Sequence, residues 1–178
     1  MKVLIIEDNN YKLDDAIRIL NKHGITEYVH VNNYMEAYNL LRKGLVDEFD
    51  FIILDIQFYE TRPLLDSRAM PDQYAGYKFS FKLASAGKTI PVFIFSSVDS
   101  FEDGYKEFLF PPFSEYRRKF TSSTIFYRES YYTKRYHEEM QVNEDIQKKT
   151  LGFVQGHARS NYELANLIKQ YLDSNNQN

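Results

Sequence analysis

Residues 1–10, MKVLIIEDNN, are a short apolar run that ends abruptly at two carboxylates and two asparagines. Residues 3–6 are continuously apolar, which is typical of a strand buried on both faces of a parallel sheet. Beyond the asparagines the apolar residues recur every three or four positions, which is a helical period: Leu13, Ala16, Ile17 and Leu20. Gly24 follows, where a helix would end. The stretch therefore predicts a strand, a turn that carries Glu7 and Asp8, and a helix.

The same alternation of strand-like and helix-like segments continues along the chain. Further strands are predicted at residues 25–31, 49–55, 89–97 and 151–155. Further helices are predicted after Asn33, a suitable N-cap, at residues 77–86, and after the capping box of Ser160 and Glu163. Residues 59–75 predict a long loop. Because parallel neighbours require helical crossovers, this order predicts an α/β fold with a doubly wound, five-stranded parallel sheet.

The working edge of such a sheet lies at the carboxyl ends of its strands. Glu7 and Asp8 end the first strand, Asp55 ends the third, and Ser96 ends the fourth. Three clustered carboxylates repel one another unless a cation compensates, and oxygen ligands favour a hard divalent ion such as Mg²⁺. The simpler interpretation is that Glu7 and Asp8 only cap the following helix and that Asp55 is an ordinary loop acid.

Three motifs together resemble the receiver domain of bacterial two-component response regulators. VLIIEDN is similar to the first strand of that family with its acidic pair, FDFIILD to the third strand with its phosphoaccepting aspartate, and PVFIFSS to the fourth strand with its hydroxyl residue. Gly76 matches the glycine before the third helix. The resemblance covers residues 1–98 and about 150–173, and it implies the flavodoxin-like receiver fold.

The resemblance also implies a set of roles. Asp55 would accept a phosphoryl group from a histidine kinase, a phosphotransfer protein or a small phosphodonor. Mg²⁺ would be held by Asp8, Asp55 and the backbone carbonyl of Gln57, and through water by Glu7. Ser96 would donate its hydroxyl to the new phosphate. The protein would act as a phosphoacceptor, with at most its own phosphorylation and dephosphorylation as enzymatic activity.

Receivers carry a lysine at the end of strand five, and no lysine stands at the matching position of this sequence. With residues 151–155 as that strand, Phe153 matches the switch aromatic and the lysine position falls at Gln155 or Gly156. A rival placement on TIFYRES puts Arg128 in the cationic role, although guanidinium and ammonium are not equivalent. The first placement is preferred because the capped last helix follows it directly. It implies an atypical receiver or pseudo-receiver.

A second departure is a long insertion between strands four and five, at about residues 99–149. It is dense in Tyr and Phe, and we expect an irregular or extended part to about residue 130 and then a helix over residues 131–149. Its aromatic residues predict either a satellite core or a docking surface for a partner or a second copy. The expected organisation is one receiver-like domain at residues 1–173 and a polar tail at residues 174–178.

Composition excludes several other classes of protein. Without cysteine, disulfides and thiolate metal sites are excluded, and the four scattered histidines do not match a zinc site. The sequence shows neither an apolar run of membrane-spanning length nor a secretory signal pattern, so a cytoplasmic protein without a membrane partner is expected. A formal net charge of −3 gives no general attraction to nucleic acid. The basic and aromatic segments at residues 116–120 and 132–136 are interpreted as solvated faces or aromatic packing.

Two functions of different classes follow from these features. The first is a signalling receiver that takes a phosphoryl group on Asp55 with Mg²⁺ and alters binding to a downstream protein. The alternative is an interaction module that works without phosphorylation, through its aromatic insertion. A metal-dependent phosphohydrolase is disfavoured, because no general acid or basic residue accompanies the carboxylates in the motifs.

Overall fold

The computed structural model describes residues 1–59, 72–98, 100–109 and 144–175. Five strands form one parallel sheet in the order β2-β1-β3-β4-β5. The strands are β1 (Lys2–Ile6), β2 (Glu27–Val31), β3 (Phe51–Leu54), β4 (Val92–Phe95) and β5 (Val154–Ala158). The predicted doubly wound parallel sheet is therefore confirmed. Its central strands β1, β3 and β4 are buried almost throughout, as their continuous apolar runs indicated.

Helices cover both faces of the sheet. They are α1 (Asn10–Lys22), α2 (Tyr34–Arg42), α3 (Ala75–Ser85), α4 (Phe101–Leu109), α5 (144–153) and α6 (Asn161–Asn175), with a short 3-10 helix at Leu45–Glu48. Apolar residues of α1 and α6 form one core with one face of the sheet. Residues of α2, α3, α4 and α5 form a second core with the opposite face. Within the described ranges, no helix is both long and apolar enough to span a membrane.

The helix starts follow the predicted capping residues. Asn33 accepts a hydrogen bond from the backbone N–H of Glu36 at 2.9 Å. The capping box is also formed, since Glu163 N–H donates to the Ser160 hydroxyl at 3.3 Å and Ser160 N–H donates to the Glu163 carboxylate at 3.2 Å. These contacts fix the first turns of α2 and α6. The last helix continues to Asn175, two residues into the predicted polar tail.

Two predictions for the region before β5 are wrong. Residues 101–109, expected to be irregular or extended, form α4, whose side chains Phe101, Tyr105 and Leu109 are buried at a helical spacing. Residues 151–153, expected to begin strand five, end α5 instead. Thr150 and Phe153 are buried on one helical face, and a short apolar run such as LGFV suits either structure.

Several predictions concern residues outside the described ranges. These are the rival strand five with Arg128, the basic and aromatic segments at residues 116–120 and 132–136, most of the predicted loop at residues 59–75, and the part of the insertion at residues 110–143. Of the helix predicted at residues 131–149, the described part from residue 144 onward is helical.

Candidate functional site

Three carboxylates meet at the carboxyl edge of the sheet. Glu7 and Asp8 follow β1, and Asp55 follows the neighbouring strand β3, with which β1 is in register from Val3 to Ile6. The backbone N–H of Asp55 donates to the Ile6 carbonyl at 2.9 Å, which extends this pairing to the acidic residues. One carboxylate oxygen from each acid lies within 4.8 Å of the others. We call these three residues the carboxylate cluster.

Short hydrogen bonds orient the carboxylates of Glu7 and Asp55. Oε1 of Glu7 accepts from the backbone N–H of Asn9 at 2.9 Å, and Oδ1 of Asp55 accepts from its neighbour Ile56 N–H at 2.7 Å. Glu7 and Asp55 are 2% and 3% exposed, so neither has bulk water as a substitute partner. Each carboxylate thus has one oxygen fixed by backbone and one directed into the cluster.

The cap of α1 is supplied by Asn9 rather than by the acids. Its Oδ1 accepts from the backbone N–H groups of Tyr11 at 2.9 Å and Lys12 at 3.4 Å. The simpler interpretation, in which Glu7 and Asp8 serve as helix caps, is therefore not needed to explain how α1 starts. The side chains of Glu7 and Asp8 form part of the carboxylate cluster instead.

Two buried oxygens of the cluster lack hydrogen-bond donors. In the described part of the chain, Oδ2 of Asp8 has none, and Oε2 of Glu7 has only the ammonium of Lys12 at 3.6 Å, beyond hydrogen-bond distance, although both oxygens are shielded from solvent. A buried carboxylate oxygen without a donor is costly unless a cation approaches it. Oxygen ligands of this kind are those that Mg²⁺ prefers, so the residues present fit a hard divalent ion.

The electrostatics of the cluster agree with that fit. Burial, reinforced by the Asp55 carboxylate, raises the pKa of Glu7 to about 8 against the opposing charge of Lys12. Burial and then the Asp55 carboxylate also raise the pKa of Asp8, while a hydrogen bond from the backbone N–H of Tyr59 acts in the other direction. Glu7 and Asp8 therefore resist ionisation unless positive charge beyond that of Lys12 enters the cluster.

Lys12 is a member of the site that the sequence analysis missed. Its Nζ lies 3.0 Å from Oδ2 of Asp55 and 3.6 Å from Oε2 of Glu7. Side chains of a helix lean toward its N-terminus, so a lysine in the first turn of α1 reaches back over the end of β1. The signal available in the sequence was a single lysine four residues after Asp8.

Gln57 and Gly76 lie where the chain turns from β3 toward α3. The Ile56 carbonyl accepts from Gly76 N–H at 2.9 Å and the Phe58 carbonyl accepts from Asp72 N–H at 3.0 Å, and Gln57 lies exposed between these two anchored residues. Gly76 packs directly on the backbone that carries Asp55. The predicted glycine is thus needed for close contact within the first turn of α3.

Ser96 is buried at the carboxyl end of β4, beside β3. Its backbone is held by β5, because Ser96 N–H donates to the Ala158 carbonyl at 3.1 Å and His157 Nε2 donates to the Ser96 carbonyl at 3.0 Å. His157 was not among the predicted site residues. Its position on the fifth strand became visible only with the register of β5.

The residues assigned to strand five do not lie at the carboxyl end of the observed strand. Phe153 is buried in the core at the end of α5, one residue before β5 begins. Gln155 and Gly156, the predicted lysine positions, lie inside β5, and a β-carbon at residue 156 would collide with Leu167 of α6. The sequence of β5 is VQGHA, so a lysine is absent from the observed strand as well.

Comparisons with known proteins point to one fold. No protein-family model and no curated protein matches the chain. Among solved structures, the N-terminal domain of a response regulator/sensory box/GGDEF 3-domain protein from Carboxydothermus hydrogenoformans matches 100% of this chain and 100% of its own, with 14% identity and a TM-score of 0.51. The chain thus has the flavodoxin-like fold of response regulator receiver domains.

Two further solved structures are of the same kind. A CheY-like receiver domain protein from Methanospirillum hungatei matches 99% of this chain and 96% of its own, with 14% identity and a TM-score of 0.48. The receiver domain of the histidine kinase CKI1 from Arabidopsis thaliana, complexed with Mg²⁺ and BeF₃⁻, matches 60% of this chain and 72% of its own, with 23% identity and a TM-score of 0.42.

Proposed function

We propose that the chain is a cytoplasmic phosphorelay receiver that accepts a phosphoryl group on Asp55 with Mg²⁺ and thereby changes its binding to a protein partner. The observation that carries this proposal is the carboxylate cluster at the carboxyl edge of the sheet, in which buried oxygens of Glu7 and Asp8 lack hydrogen-bond donors. A purely structural cluster would satisfy those oxygens with backbone or side-chain donors.

The metal would be held by the carboxylates of Asp8 and Asp55 and by the backbone carbonyl of Gln57, with Glu7 contributing through water. When bound, Mg²⁺ supplies positive charge to the phosphoryl oxygens during transfer. The protein itself contributes position, because Asp55 is fixed through Oδ1 by the Ile56 N–H and keeps Oδ2 directed into the cluster.

Oδ2 of Asp55 is the nucleophile in this proposal. It forms a bond to phosphorus while the bond between phosphorus and the donor breaks, and the donor leaves with that electron pair. The donor is a phosphohistidine of a histidine kinase or phosphotransfer protein, or a small acyl phosphate. In the first case the leaving group is the neutral imidazole of the histidine after it takes up a proton from solvent.

Ser96 is the residue through which the phosphorylated state would be communicated. It is buried at the end of β4, and its hydroxyl would donate to a phosphoryl oxygen on Asp55. Its backbone N–H donates to the Ala158 carbonyl and its backbone carbonyl accepts from the His157 side chain, so a shift of Ser96 would displace both residues of β5. The partner surface would then lie along the ends of β4 and β5.

The alternative, a phosphorylation-independent interaction module, receives no support from the described part of the insertion. Phe101 and Tyr105 of α4 are 4% and 0% exposed. Their rings pack on Tyr77 of α3 with centroids 5.4 and 6.0 Å away. These two aromatic side chains belong to the main core and are not available as a docking surface.

Incubation with Mg²⁺ and acetyl phosphate tests the proposal directly. We expect the intact mass to rise by one phosphoryl group, in a form that hydroxylamine removes, as for an acyl phosphate. Asp55→Asn should abolish the gain, while Asp50→Asn, a matched change at an exposed aspartate before β3, should not. A wild-type protein that stays unmodified with Mg²⁺ and also fails to bind beryllofluoride would refute the proposal and favour the interaction module.

A further inference from the structure

We infer that Lys12 of α1 is the phosphate-neutralising cation of the carboxylate cluster, in place of the lysine that receivers carry on strand five. This inference rests on the proposed function, since it names a further residue that acts on the phosphoryl group at Asp55. It is carried by the position of the Lys12 ammonium, which forms ion pairs with both Asp55 and Glu7.

The strand that would supply the cation does not carry a lysine. β5 reads VQGHA, and its basic residue, His157, uses Nε2 to donate to the Ser96 carbonyl. Ala158, at the end of the strand, is fully buried in the core formed with α1 and α6. Among the described residues, Lys12 of α1 places its ammonium at the carboxylate cluster on this edge of the sheet.

The Lys12 ammonium lies next to the oxygen that would bond to phosphorus. Oδ1 of Asp55 is occupied by the Ile56 N–H at 2.7 Å, and Oδ2 is 3.0 Å from Lys12 Nζ. Phosphoryl oxygens lie two bonds from Oδ2, within hydrogen-bond reach of an ammonium that starts at this distance. A small rotation of the lysine side chain would exchange the carboxylate oxygen for a phosphoryl oxygen.

The surroundings of Lys12 hold its charge at this place. Its backbone N–H is bonded to the Asn9 cap, so its Cα belongs to the rigid first turn of α1. Its Nζ also lies 6.0 Å from the ring centroid of Phe95, the residue before Ser96. The side chain is 28% exposed, so the ammonium is partly screened by water but is not free of the cluster.

A lysine at this position has opposite effects on the two ligands of the cluster. It repels a divalent cation bound by the same carboxylates and attracts the oxygens of a phosphoryl group. Loss of its charge should therefore tighten Mg²⁺ binding and weaken binding of a phosphoryl mimic. A residue that merely supported the fold would change both affinities in the same direction.

The test compares Lys12→Gln and Lys12→Arg with wild type and with Lys88→Gln. Lys88 is a suitable control because it pairs with Asp47, precedes β4 at the opposite edge of the sheet, and has a side chain 25% exposed. Mg²⁺ affinity is measured by calorimetry without phosphodonor, and beryllofluoride affinity by fluorine NMR at saturating Mg²⁺. Thermal unfolding without ligand establishes that each variant is folded.

We expect Lys12→Gln to bind Mg²⁺ about tenfold more tightly and beryllofluoride about tenfold more weakly, as expected for a unit charge removed at a few ångströms in a partly screened site. Lys12→Arg should retain most of the beryllofluoride affinity, and Lys88→Gln should match wild type in both measurements. If Lys12→Gln proves unstable, the Mg²⁺ and beryllofluoride affinities of Lys12→Arg and Lys12→Met test the inference in the same way.

Two results would overturn the inference, and they differ from failure of the proposed function. If wild type and Lys12→Gln bind beryllofluoride equally, or if both affinities fall together, Lys12 is not the phosphate-neutralising cation, although the receiver function stands. If wild type with Mg²⁺ does not bind beryllofluoride at all, the receiver function fails as well, and this inference with it.

Discussion

Gly76 of α3 packs against the backbone of Asp55 so closely that a side chain cannot be accommodated there. A β-carbon at residue 76 would lie 2.7 Å from Cα of Ile56 and would collide with the carbonyl oxygen of Asp55. Both neighbours are backbone atoms, which cannot rotate away as a flexible side chain could. The first turn of α3 is thus a fixed support for the strand end that carries the proposed phosphoacceptor.

Gly76→Ala should therefore destabilise the protein by about 1–3 kcal/mol, the usual cost of overpacking. It should also weaken Mg²⁺ binding, because Asp55 would be displaced with its backbone. Urea unfolding and calorimetry measure the two effects. Gly152→Ala is the matched control, since Gly152 lies in α5 with nothing within 4 Å of the new β-carbon. It should be neutral or stabilise by up to about 1 kcal/mol, and an equal loss in both variants would contradict the argument.

Glu7 should make the stability of the metal-free protein fall with rising pH. Its pKa is about 8 in the folded protein and 4.5 in its ordinary state, so its contribution is fully present below about pH 4.5 and is lost as the pH rises through about 8. Glu7→Gln removes this dependence. Between about pH 5 and about pH 8 we expect wild type to lose more than about 1.4 kcal/mol of unfolding free energy relative to Glu7→Gln, the equivalent of one pKa unit.

Denaturant unfolding at several pH values in the presence of a chelator measures this difference. Glu102→Gln, which removes an exposed carboxylate from α4, should follow the wild-type profile. Mg²⁺ should reverse the trend, because metal binding favours the ionised carboxylate and its affinity should rise toward pH 8. Parallel profiles for wild type and Glu7→Gln without metal would show that Glu7 does not titrate as its surroundings indicate.

The sheet and most helices could be predicted because their sequence signals are local. Continuous apolar runs predicted the central strands, and capping residues such as Asn33 and Ser160 predicted where helices begin. The signals for α4 were also local: Ser100 accepts a hydrogen bond from Asp103 N–H, and Phe101 and Tyr105 are one turn apart. They were missed because the region resembles an irregular insertion in composition, and composition does not determine periodicity.

The candidate site was predictable only as far as the backbone determines it. Parallel strands bring their carboxyl ends to one edge, so Glu7, Asp8 and Asp55 had to converge once the strand order was right. Lys12 and His157 depend instead on the reach of a side chain and on the register of β5, which shifts at Val92/Phe93. Neither the reach of a side chain nor the register of a strand can be read from a short motif, so Lys12 and His157 were identified only in the structure.

Asn9→Ala should separate helix capping from metal binding. The change removes the acceptor for the backbone N–H groups of Tyr11 and Lys12 and should cost about 1 kcal/mol of unfolding free energy. The Asn9 backbone N–H, which orients Glu7, is retained. Mg²⁺ affinity should therefore change by less than about threefold, as measured by calorimetry on the folded variant. Asp8→Asn should behave in the opposite way, with a large loss of Mg²⁺ affinity and little loss of capping.

The hydroxyl groups of Tyr105 and Thr150 join α4 to α5 across the insertion, with their oxygens 2.8 Å apart. Thr150 donates its hydrogen to the Ile146 carbonyl at 2.9 Å, so Tyr105 must donate to Thr150. Tyr105 is fully buried, and burial raises its pKa to about 12, which keeps the phenol protonated as this donation requires. Removal of the Thr150 hydroxyl and removal of the Tyr105 hydroxyl should therefore have different effects on the free energy of unfolding.

Thr150→Val should cost more than Tyr105→Phe. The first change leaves a buried phenol without its acceptor and should cost about 1–3 kcal/mol, whereas the second leaves Thr150 bonded to Ile146 and should cost about 0.5–1.5 kcal/mol. Urea unfolding of the two variants and of the double variant measures the order. The double variant should be less destabilised than the sum of the two, because the orphaned phenol is absent once both changes are made. If the two single changes cost the same and their costs add in the double variant, the hydrogen bond does not anchor α5 to α4.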